Sequence, residues 1–108
     1  MRKVTSTNFE NEKILNDYCN AYKNLQLISG RWKLPVLYFL FKNETAVFSD
    51  FKKLLPSASD RMLALHLREM VIDTLIEKRK EDNIVIYRAA NKALCMKKLL
   101  LSFATLKL

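Results

Sequence analysis

A mainly helical α+β fold is what this sequence predicts, and three observations carry the prediction. The 108 residues include one glycine and two prolines, too few for the many tight turns of a sandwich or barrel. Apolar residues recur at three- and four-residue steps, the period of a helix packed on one side. Late in the chain, two β-prone runs flank a polar turn and read as one hairpin. Half of the residues are apolar, enough for one small core, so residues 1–108 read as a single domain.

The elements follow in order. Met1 to Ser6 are expected to be flexible. Thr7-Asn8-Phe9-Glu10 fits a capping box, with Thr7 as N-cap and Glu10 reaching back. A first helix then covers about 7–29, with Ile14, Tyr18, Tyr22, Leu25 and Ile28 on one stripe. Gly30 falls just past the last apolar residue, as a C′ glycine does, and Trp32 closes the joint. A second helix runs from about Trp32 to Phe41, with Pro35 near its start, where the missing N–H costs little. Leu34, Val36, Leu37, Tyr38, Phe39, Leu40 and Phe41 make it apolar on nearly every side, so it is the predicted central helix.

Ala46-Val47-Phe48 reads as a short strand. Ser49 or Asp50 is expected to cap a short helix holding Phe51, Leu54 and Leu55, which Pro56-Ser57-Ala58 breaks. Ser59 reads as the N-cap of a helix from Asp60 to about Met70. Met62 or Leu63, with Leu67 and Met70, faces inward there, while Arg61, Leu65 and Arg68 point elsewhere. Leu75–Arg79 and Ile84–Arg88 form the hairpin strands, with Lys80 to Asn83 as the turn. Asn91 to Leu106 is a last helix with Ala93, Met96, Leu100 and Phe103 on one face.

A short helix, a proline turn and a second helix make a helix-turn-helix candidate, and a basic hairpin follows at once. That order is a winged helix-turn-helix: a three-helix core with a β-hairpin wing. The formal charge of +8 suits an anionic partner, and a major groove admits one helix. Double-stranded DNA is therefore the expected partner. Ser57, Ser59, Arg61, Leu65, His66 and Arg68 are the candidate groove residues. Lys78, Arg79 and Lys80 bring positive charge to the wing, and Lys52 and Lys53 flank the backbone. Each feature alone also fits an ordinary solvated surface. The alternative reading is a winged helix kept for dimerisation and protein partners, with Leu65 in a docking face.

Other classes find little support. Cys19 and Cys95 form no CxxC, and a single histidine, His66, makes a metal site improbable. One glycine cannot build a phosphate-binding loop, and His66 has no readable catalytic partner, so no enzyme and no cofactor are expected. No apolar run reads as a signal peptide or a membrane span, which makes a reducing cytoplasm the default compartment.

Over roughly Cys19 to Met96 the chain resembles the HxlR family of winged-helix transcription regulators, relatives of the MarR group. Cys19 stands thirteen residues before Trp32 of Gly30-Arg31-Trp32, which matches the family's Gly-Lys-Trp. "VLYFL" (Val36 to Leu40), "FSDFKKLLPSASDRMLALHLREM" (Phe48 to Met70), "LIEKR" and "VIYRAA" match the segments that follow. The chain departs at Asn20, where the family usually has Pro, at Val47, and at Thr74, where the family has Gly before the wing. Leu65 and His66 replace residues that are usually polar or basic, Ala90 and Ala93 replace Thr and Gly, and the wing is shorter.

The resemblance implies a homodimer on a palindromic operator, joined through helices at about 7–29 and 91–107. Tyr18, Tyr22, Leu25, Met96, Leu100 and Phe103 are then the interface candidates. It also implies that Cys19 could sense electrophiles or oxidants. Lys23, four residues on, favours the thiolate. The other reading of Cys19 is a small apolar residue in the dimer interface.

Overall fold

The computed structural model describes residues 2–107. The elements run α1 Arg2–Ile28, α2 Lys33–Asn43, β1 Thr45–Ala46, α3 Phe48–Leu54, α4 Asp60–Ile72, β2 Ile76–Glu81, β3 Ile84–Ala89 and α5 Asn91–Thr105. The helix, helix, strand, helix, helix, hairpin, helix order is the one the sequence predicts.

Helix α2 runs through the core, with Val36, Leu37, Leu40 and Phe41 buried and Tyr38 and Phe39 half-buried against it. Around it pack Phe51 from α3, Leu63, Leu67 and Met70 from α4, Leu75 and Ile76 at the base of the hairpin, and Ala93 and Leu100 from α5. Phe51 is fully buried and meets Phe39 and Tyr87 edge-on, with ring centres 5.6 Å and 5.8 Å away. Aromatic edges on ring faces add to the burial itself. Burial also raises the pKa of the Tyr87 hydroxyl above its ordinary range. Met62 is exposed, so Leu63 is the inward residue of the first α4 turn.

The sheet is antiparallel in the order β1-β3-β2. Strand β1 is Thr45–Ala46, paired with Arg88 and Tyr87, and not the expected Ala46–Phe48. Phe48 instead opens α3, and neither Ser49 nor Asp50 is its N-cap. Val47 takes that place in extended conformation, and its N–H donates to the Asp50 carboxylate at 2.9 Å. A carboxylate in the first turn satisfies a free amide and suits the helix dipole, so Asp50 does its work three residues inside the cap. Leu55 lies just outside α3 and Leu54 is exposed.

Helix α1 starts at Arg2, so the expected flexible lead and the Thr7 cap are replaced by helix; Met1 lies outside the described residues. No Pro or Gly stands between Arg2 and Thr7 to stop propagation. At 1.5 Å per residue α1 is about 40 Å long. Among its described side chains, only Leu27 and Ile28 in the last turn reach the core. The radius of gyration is 18.1 Å, against about 13 Å for a compact chain of this length. The projecting α1 accounts for the difference.

The connections have clear local causes. Gly30 has φ +123, a region that L side chains rarely adopt. Trp32 packs on the core just beyond it, with the Arg31 guanidinium 4.8 Å from its ring centre. The wing turn is the pair Asp82-Asn83, both at positive φ (50 and 69), which suits a right-twisted two-residue hairpin. Lys80 therefore lies in β2, not in the turn.

Candidate nucleic-acid interface

Helix α4 is built to hold one face open. Ser59 caps it as predicted, its Oγ accepting the Met62 N–H at 3.1 Å. The other end closes as a Schellman turn. The Leu75 N–H reaches the Met70 carbonyl at 2.9 Å and the Thr74 N–H reaches Val71 at 3.0 Å. Buried Leu75 and Met70 are the apolar contact that accompanies such a turn. The Ala90 N–H donates to the Leu75 carbonyl at 2.9 Å, so the end of the wing is tied to the end of α4.

With Leu63, Leu67 and Met70 inward, the helical period puts Arg61, Leu65, Arg68 and Ile72 on the opposite side, and all four are exposed. His66 departs from the expected groove face. It lies on the flank, half-buried, with Nδ1 3.3 Å from the Glu69 carboxylate. Ser57 is exposed in the turn before α4. Ser59 is exposed too, and its hydroxyl proton remains available for donation.

Lys52 and Lys53 divide. Lys53 is exposed on α3. The Lys52 ammonium donates to the Ala58 carbonyl at 2.5 Å and lies 3.0 Å from the Asp60 carboxylate. It fastens α3 to the turn and to the first residue of α4. Sequence reading missed this because the partners lie six and eight residues away across a bend, outside any helical spacing.

The wing charges also divide. Strand alternation puts Lys78 and Lys80 on one face, opposite Tyr87 and Val85, with Ile76 further down. Arg79 lies on the other face with both β2 glutamates, and it pairs with Glu81 at 2.5 Å. Glu77 on that face pairs with Arg88 at 2.8 Å. The lysine face is thus positive with no β2 carboxylate on it.

The expected dimer residues separate in the same manner. Tyr18, Tyr22 and Leu25 are exposed along α1, the two tyrosine rings 6.0 Å apart. Phe103 is exposed on α5. Leu100 is only 3% exposed and belongs to the core of its own chain, where Tyr38 donates its hydroxyl to the Leu100 carbonyl. Met96 packs half-buried on that core. These two share the inward side of α5 with the fully buried Ala93. Cys19 and Cys95 are free thiols, both exposed. Among the described residues no group of three or more His, Cys, Asp or Glu could hold a metal, and no helix is long and apolar enough to cross a membrane.

A helix-turn-helix fastened by Lys52, an open α4 face and an attached hairpin define a winged helix-turn-helix protein. The family model described as HxlR-like helix-turn-helix matches residues 27–104, and the chain belongs to that family. It is similar to YdeP of Bacillus subtilis (strain 168), called an uncharacterized HTH-type transcriptional regulator. Those two are 38% identical over 60 residues, 56% of this chain and 46% of YdeP. YdzF of the same organism, described in the same words, is 35% identical over 69 residues, 59% of this chain and 63% of YdzF. Each match spans less than two thirds of the relative's length. Among solved structures, the redox regulator HypR in its reduced form has a TM-score of 0.74 at 24% identity, over 79% of this chain and 86% of that one. That likeness concerns the fold.

Proposed function

We propose that this chain is a DNA-binding transcriptional regulator that acts as a homodimer on a palindromic operator. Helix α4 enters the major groove, and Lys78 and Lys80 of the wing meet phosphates. The observation that carries the reading is the outward face of α4, where exposed Arg61 and Arg68 stand opposite the core residues of the second helix of a helix-turn-helix. Family membership and the charge of +8 support it. Helices α1 and α5 serve as dimerisation helices of a single domain. The exposed Tyr18, Tyr22 and Leu25 stripe supports that role, since an amphipathic helix is stabilised mainly by packing its apolar face.

Titration of a fluorescent duplex at several salt concentrations tests the function. Affinity should fall linearly on a log–log plot as salt rises. Negligible affinity at low salt would favour the protein-docking alternative instead.

The regulation proposed is redox control through Cys19, supported by the exposure of its free thiol. Diamide should weaken or alter DNA binding of wild type and leave Cys19→Ser unchanged. An equal response from both proteins would reduce Cys19 to a packing residue.

A further inference from the structure

We infer that Leu65 reads a thymine through its 5-methyl group, from a position between two arginines on the outward face of α4. The inference rests on the DNA-binding function proposed above and assigns one specificity element within it. Leu65 lies one turn after Arg61 and one turn before Arg68, on the side of α4 away from Leu63, Leu67 and Met70. It is 48% exposed and belongs neither to the buried core nor to the apolar residues packed against it. A single exposed leucine is ordinary in itself. What matters here is its position between two exposed guanidinium groups.

Charge complementarity selects the occupant of that face. A protein partner is usually met by a contiguous apolar patch. Two arginines bracket Leu65, and Arg68 in turn separates it from Ile72, the other exposed apolar residue on that side, so the face suits a surface that offers anionic and acceptor groups with separated apolar spots. The major groove is such a surface. Guanine presents two acceptors that match arginine, and among the bases thymine alone presents a methyl group. Leu65 has no donor or acceptor, so the thymine methyl is the one feature of a base edge that it can match, and on the other bases it meets only polar groups. The same side chain therefore favours thymine and disfavours the alternatives.

The test uses duplexes that wild-type protein enriches from a random pool, prepared once with thymine and once with uracil, which removes only the 5-methyl group. Affinity for each preparation is measured by fluorescence anisotropy for wild type and for Leu65→Ala at one salt concentration. Circular dichroism confirms the fold of the variant, which is expected because the side chain is exposed. Wild type should bind the uracil duplexes about fourfold more weakly for each methyl group read. Leu65→Ala should bind both preparations alike. If enrichment succeeds but the loss on uracil is nil or equal in both proteins, Leu65 is not the reader, and the DNA-binding function stands. If wild type enriches no duplex and binds none at low salt, both the inference and the function it rests on are wrong.

Discussion

Thr74 holds a β-branched side chain at φ +59, where left-handed backbone costs an L residue about 1–2 kcal/mol. The Schellman turn that ends α4 imposes this conformation, and glycine meets it without a Cβ penalty. Thr74→Gly should therefore stabilise the protein by about 0.5–1 kcal/mol, once the larger chain entropy of glycine is set against the relieved strain. Thermal or urea unfolding checks this, and an unchanged or lower stability would place the strain elsewhere. On the reading face, Arg61→Ala should cost about 1–3 kcal/mol of DNA affinity and relax sequence preference. Lys80→Ala should weaken binding to all sequences alike and reduce the salt slope by about 1. Comparing the two variants on enriched and random duplexes separates base reading from phosphate contact. Lys52 differs in kind: it is fastened to Ala58 and Asp60, so its first contribution is to hold α4 in place.

Most of the elements were legible in the sequence. The stripe of α1, the all-round apolar α2, the Ser59 cap and the hairpin all follow from spacing and residue type. Boundaries were less legible where two signals compete. Val47 and Phe48 are good strand residues, yet the Asp50 carboxylate draws them into the start of α3. The three-cation run Lys78-Arg79-Lys80 looks like one charge cluster in sequence. Pleating splits it across two faces, because neighbouring side chains on a strand point to opposite sides. The same limit applies to α5, where one apolar face of Ala93, Met96, Leu100 and Phe103 divides into core and surface. Periodicity tells which residues share a face but not what covers it. At Thr74 the one sign of positive φ is the glycine that the resembled family has there, before the hairpin.

At the scale of the molecule, α1 stands away from the core along most of its length, which gives principal extents of 66 × 33 × 23 Å. A second copy would cover its apolar stripe and turn one reading helix into two related by a two-fold axis. The spacing of those helices is then fixed at about one turn of DNA, 10–10.5 base pairs from centre to centre. The most direct test is a hydroxyl-radical footprint on a duplex enriched from a random pool, read on both strands. Two symmetric protected patches about 10–10.5 base pairs apart, centred on a palindrome, are the result expected of a dimer with one α4 in each of two successive major grooves. A single asymmetric patch, or uniform protection with no centre of symmetry, would contradict that arrangement.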